Sequence, residues 1–193
     1  MSYSKLSIVN TCLLLKGQRP VSAEDDGSDE WNICSAAYDQ GVAHAIEEHD
    51  WKFATEIDTL DRLGDSDDPD FEDEYAKPTG CLHLIWVRVS NVPTPYKIIG
   101  DAVQITAGGV DPTCKFVAEP GPEDWPAMFV SVINEYVFSG IESGIKKNQS
   151  TADGHLAKAH EFLQRAKTRT DQQEPKRALF KTRHRIARQT RRG

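Results

Sequence analysis

The sequence predicts an α+β protein, mainly α: a helical bundle of about four helices with an inserted small antiparallel β-sheet and an extended C-terminal arm. Three observations carry this. Apolar residues recur at helical spacing near both ends of the body, and a β-branched, aromatic run cut by turn residues fills the middle. The last 18 residues are basic and contain no acid. The body is expected over residues 1–170 and the arm over 171–193.

The first helix is expected at about 4–16, where Leu6, Val9 and Leu13 lie with Ile8 and Cys12 at helical spacing, and Gly17 then Pro20 stop the run. An acidic loop, Glu24 to Glu30, contains Gly27 and Ser28. The second helix, about 29–49, carries Ile33, Ala36, Ala37, Ala43, Ala45 and Ile46, small residues that suit close helix packing. Thr55 to Glu74 holds ten acids together with Gly64 and Pro69, so loop or weak strand, well solvated, is expected there. Asp65, Asp67, Asp68 and Asp70 do not complete the ligand pattern of an EF-hand, which favours a repulsive solvated loop over a calcium site.

The β insertion is expected at about 75–119. From Leu82 to Ser90, His83, Ile85, Val87 and Val89 alternate with Leu84, Trp86 and Arg88, the pattern of a strand. Turn residues at Asn91 to Pro95, Gly100-Asp101 and Gly108-Gly109 divide the next stretch into strands near Tyr96 to Ile99, Ala102 to Thr106 and Lys115 to Ala118. Pro120, Gly121 and Pro122 close the sheet. A third helix at about 123–146 starts on Glu123-Asp124, where the helix dipole favours acids, and buries Met128, Phe129, Val132, Ile133, Tyr136, Val137, Ile141 and Ile145. Ser150 or Thr151 caps a last helix, about 151–169, with Leu156, Ala159, Phe162, Leu163 and Ala166 inward.

Charge is strongly polarised along the chain. Lys176, Arg177, Lys181, Arg183, Arg185, Arg188, Arg191 and Arg192 give the arm eight positive charges; the whole chain sums to −7, which leaves −15 for residues 1–175. The arm's sizeable apolar residues are Leu179, Phe180 and Ile186, each contributing roughly 2 kcal/mol if buried. Ordering its backbone costs on the order of 1 kcal/mol per residue, so the arm is expected to order only against a partner. Leu179 and Ile186 lie seven apart and would share a helix face, which a pure phosphate binder does not need. An acidic protein groove is therefore the preferred partner, and a nucleic-acid-binding tail the alternative.

Local signatures of catalysis are missing. The glycines at Gly100 to Gly109 and Gly140 to Gly144 do not form a phosphate loop, and G-x-S-x-G, H-E-x-x-H and deaminase patterns do not occur. His44 and His49, like His155 and His160, are five apart, a spacing that favours solvated or capping histidines over metal ligands. Cys12, Cys34, Cys81 and Cys114 are scattered and are expected to be free, buried thiols. No enzyme, cofactor or metal is expected. The apolar N-terminal run is broken by Asn10 and Thr11, which suits a cytoplasmic protein with no membrane segment.

Three stretches resemble the head-to-tail adaptor proteins of tailed bacteriophages, the tail tubular protein A-like group beneath the portal. The first is Leu13-Leu14-Leu15-Lys16-Gly17 followed by the acidic loop Glu24 to Asp29. The second is His49-Asp50-Trp51-Lys52-Phe53-Ala54, similar to the family's W-x-F-A after the second helix. The third is Tyr75-Ala76-Lys77-Pro78-Thr79-Gly80-Cys81-Leu82, where Gly80 replaces the family's usual acid. Asp124-Trp125-Pro126 before the third helix is also similar. Trp51, Phe53, Tyr75 and Trp125 are expected as core and corner aromatics, with Pro78 and Cys81 completing the motif.

The resemblance implies a virion connector, assembled in the host cytoplasm, that forms a dodecameric ring under the portal protein and extends the DNA channel. It implies that the arm reaches into the portal, that the sheet faces a downstream tail or nozzle protein, and that DNA passes during ejection without sequence-specific contact. Acids at Glu24 to Glu30 or Asp58 to Glu74 would repel DNA if they line that channel, or meet basic neighbours if they lie outside it.

Overall fold

The structure is a computed structural model and describes residues 3–173. It has four α-helices and two small antiparallel sheets, an α+β fold. Helix α1 (Lys5–Leu15) opens with a reciprocal cap: Ser4 Oγ accepts from Ser7 N at 3.1 Å and Ser7 Oγ from Ser4 N at 2.9 Å. Gly17, at φ +70°, ends it in the left-handed region that glycine enters without strain. Helix α2 (Asp29–Glu47) is capped by Ser28 Oγ, which accepts from Trp31 N. The preceding acidic loop is structural as well as solvated, because Asp25 accepts from the Trp31 indole at 2.9 Å.

Strands begin at Thr55, ahead of the expected boundary near residue 75. The acidic stretch contains β1 (Thr55–Thr59), β2 (Arg62–Asp65) and the start of β3 (Asp73–Ala76). Both β1 and β2 are edge strands with mostly exposed side chains, so acids are tolerated and no apolar alternation marks them. After β4 (Cys81–Val89), β5 (Val92–Pro93), β6 (Lys97–Ile99), β7 (Ala102–Ile105) and β8 (Thr113–Ala118), the strands sort into two four-stranded sheets instead of one. Their orders are β1-β8-β4-β5 and β2-β3-β7-β6. Register shifts between Cys81 and His83 and between Leu84 and Trp86 reset the pleat of β4, so its buried residues are Cys81, Leu84 and Val87, three apart.

The third helix starts later than expected. Glu123 and Asp124 belong to a short 3₁₀ turn, and α3 runs Ala127–Gly140 with no acid in its first turn. Pro126 is the reason: it disfavours helical geometry at Trp125, which is extended at ψ 133°. The chain continues as a π turn, Ile141–Ile145. Helix α4 (Gln149–Gln173) is longer than expected and starts from Asn148, whose Oδ1 accepts from Thr151 N at 3.2 Å, in place of a Ser150 or Thr151 cap. Ala159, Leu163 and Ala166 are buried, joined by Ala152 and Thr170, while Leu156 and Phe162 are half-buried.

Helix α3 packs against the other three helices. Between α2 and α3 small residues set the distance: a Cβ on Gly41 would meet Tyr136 at 2.7 Å, one on Gly140 would meet Ala37 at 2.5 Å, and one on Gly144 would meet Ile33 at 2.6 Å. The three pairs step four residues at a time along α2 and, in the opposite direction, along α3 and the π turn that continues it, an antiparallel seam of interlocking rows. The β1-β8-β4-β5 sheet lies between the helices and the second sheet. Val117 of β8 joins the helical core, whereas its neighbours Phe116 and Ala118 join the core between the sheets with Leu84, Tyr75, Val103 and Ile105. All four cysteines are free and buried.

Candidate functional site

The arm residues, Lys176 to Arg192 with their apolar anchors Leu179, Phe180 and Ile186, lie outside the described residues. The motif residues lie within them and fall into two groups. Tyr75 and Cys81 are buried in the core between the sheets; Cys81 N donates to Pro78 O at 3.1 Å, and Gly80 turns the chain at φ +74°. Gly80 thus makes the turn by conformation, and β4 starts at Cys81.

Trp51, Phe53 and Trp125 gather around Phe129 of α3, with ring centroids 4.9 to 5.3 Å from it. Trp51 is held by its indole, which donates to Ala45 O at 2.7 Å; Trp125 donates to Pro120 O at 3.0 Å. Trp51, Trp125 and Phe129 are buried, but Phe53 is half-buried because this cluster is open on one side. It forms a cleft of about 580 Å³ between the Trp51 to Phe53 turn, the start of α3 at Pro126 to Phe129, and Ala166, Arg169 and Thr170 on α4. Met128, Arg169 and Thr170 were not legible as site residues. Arg169 and Thr170 stand in a polar stretch whose helical phase continues past the expected end of the helix.

The histidines are tied into the fold more closely than their spacing suggests. His155 bridges α1 and α3: its Nδ1 lies 2.6 Å from Glu135 Oε2 and its Nε2 lies 2.7 Å from Lys16 Nζ. Lys16 also donates to Glu142 at 2.8 Å, and Lys146 reaches the same oxygen at 3.4 Å. His44 is exposed, yet it faces His160 across the α2–α4 contact at 5.7 Å between centroids and shares a hydrogen bond with the Tyr136 hydroxyl. His49 sits edge-on to Trp51 and 3.3 Å from Asp171. Among the described residues, no three His, Cys, Asp or Glu are grouped to hold a metal ion, and no helix is long and apolar enough to cross a membrane.

Two apolar pairs are left facing outward. Leu14 and Leu15, at the end of α1, are 60% and 70% exposed; Ile98 and Ile99, on edge strand β6, are 42% and 49% exposed. The outer side of β6 has no strand partner within the described chain. No protein-family model matches the chain, and no curated protein matches it in sequence.

Proposed function

We propose that the protein is a structural connector of a phage virion, a head-to-tail adaptor that assembles as a dodecameric ring under the portal and carries the tail below it. The observation that carries this reading is the exposure of both Leu14-Leu15 and Ile98-Ile99. Two adjacent apolar pairs on separate elements, one of them on an open strand edge, are a liability for a lone chain and an asset for one packed between copies. Heterologous contacts of this kind close into rings when the rotation allows. The resembling motifs support the reading through packing, since Trp51, Phe53 and Trp125 organise the corner where helices meet sheet.

In this reading the basic C-terminal arm grips the portal, and many weak contacts made at once hold the ring. The body, at −15 over residues 1–175, offers DNA no general attraction. No catalytic step is assigned to it. The decisive experiment mixes the purified protein with the portal protein of its own phage and images the product by electron microscopy. A ring stacked on the portal, lost on deletion of Lys176 to Gly193, is the expected result. Absence of any complex, together with retention of duplex DNA that falls steeply with salt, would replace this reading by that of a nucleic-acid-binding accessory protein.

A further inference from the structure

The cleft beside Trp51 presents an apolar surface that the described chain leaves open. Its floor is Trp51 and Phe129, and Phe53 and Met128 stand half-buried on its walls. One wall belongs to α4 itself, through Ala166, Arg169 and Thr170, and the described chain ends at Gln173, less than one turn beyond Thr170. The C-terminal segment therefore starts at the rim of the cleft.

The sequence disfavours a straight continuation of α4 there. Pro175 disfavours helical geometry at Glu174, and its ring would collide with the carbonyl of Asp171 if α4 continued. Leu179 and Phe180 come four and five residues later. That stretch spans up to roughly 15 Å when extended, while Ala166 lies about 10 Å back along the helix from Gln173. The anchors can reach the cleft with little slack to spare. Charge does not choose for or against this, because both signs surround the site. Lys52 and Arg169 line the cleft, while Asp171, beside His49, and Asp50, beside His83, flank it.

We propose that Leu179 and Phe180 dock in cis into this cleft, so that the chain's own C-terminal segment covers Phe53 and Met128. The contact would be apolar and short-looped, hence indifferent to salt and to protein concentration. It would also keep the anchors occupied until a competing surface displaces them. Such a contact belongs to the isolated chain and needs no portal.

Met128 makes the test direct, because the chain has two methionines and the other is Met1. With ¹³C-methyl methionine in the full chain, the Met128 signal should be displaced by the Phe180 ring and show an NOE to it. Both effects should vanish in L179S/F180S and persist in R183S/R185S/R188S, at high salt and on dilution. F180L, which keeps the apolar contact, should remove the ring displacement while the cleft stays covered, and unchanged indole signals from Trp31 would establish that each variant is folded. An identical Met128 signal in the full chain and in L179S/F180S would overturn the proposal. A displacement that disappears on dilution would overturn it too, by assigning the cleft to the arm of a second copy.

Discussion

Lys16 Nζ, on the residue that closes α1, donates to Glu142 Oε1 on the π turn after α3 at 2.8 Å, and the two side chains retain only 16% and 7% exposure. The pair staples the first helix to the third. Removing one partner of a buried pair leaves the other uncompensated, which typically costs several kcal/mol.

Lys16→Met is therefore expected to lower stability by about 2 kcal/mol, toward the low end because Lys146 can partly replace it. Lys146→Met, which removes the longer and more exposed contact, should cost under about 1 kcal/mol. The hydrogen bond from Lys16 is the main cause holding Glu142 below the usual carboxylate value of 4.5. Stability from a depressed carboxylate is present above the unfolded value and is lost as pH falls through the folded one. Urea titrations should accordingly show the gap between the parent and Lys16→Met narrowing as pH drops below 4.5. A gap that is constant with pH would assign the effect to packing.

The α2–α3 seam makes a sharper prediction. A methyl on Gly140 would sit 2.5 Å from Ala37 Cβ, so Gly140→Ala should destabilise by about 1–3 kcal/mol even though alanine is the better helix former. The exchange Ala37→Gly with Gly140→Ala moves the methyl across the seam and should recover a large part of the loss. A double-mutant cycle in urea measures the coupling, and additive single effects would contradict the close approach.

Gly80 tests the turn that leads into β4. Its φ of +74° and the open space around it make the penalty for other residues one of backbone conformation. Gly80→Asp should cost about 1 kcal/mol, since aspartate visits this region, and Gly80→Val more, about 2 kcal/mol. Equal costs for the two would mean that crowding, not φ, decides.

The thiols define the alkaline limit. Burial pushes Cys12 and Cys34 up to about 12 and Cys114 up to about 11, from an ordinary 9.0. An acid group raised by folding gives stability that is intact below its unfolded value and lost as pH climbs through the folded one. Unfolding free energy should decline between pH 9 and 12, by up to about 1.4 kcal/mol per pH unit for each thiol titrating only in the unfolded state. At pH 8 a thiol reagent should label no buried cysteine in the native protein and all four after urea unfolding; rapid native labelling would show that the core opens locally.

The helices were legible because their signals are local: the apolar spacing of Val9 and Leu13 and of Phe129, Ile133 and Val137 is within reach of a short window. The acidic stretch was legible only as loop or weak strand, without its pairing. Glu56 and Asp58 sit on an edge whose pairing with β8 joins residues roughly sixty apart in sequence, and nothing local records that partnership. The sorting into two sheets is hidden for the same reason, as Tyr75 pairs with Val103 and Leu84 with Phe116. The aromatic residues of the cleft were legible as aromatics that pack. That they leave one side open depends on where α4 passes, which only the assembled helices decide.

The close approach of α2 to α3 has a mechanical side. Ala37 against Gly140 leaves no long side chain between the backbones at the middle of the seam, so the contact there has little compliance. A push on the exposed side of α2 is handed to α3 as a whole-body displacement, and from α3 to α1 and α4, which pack on it. The helical part of the molecule then responds to load as a stiff wedge.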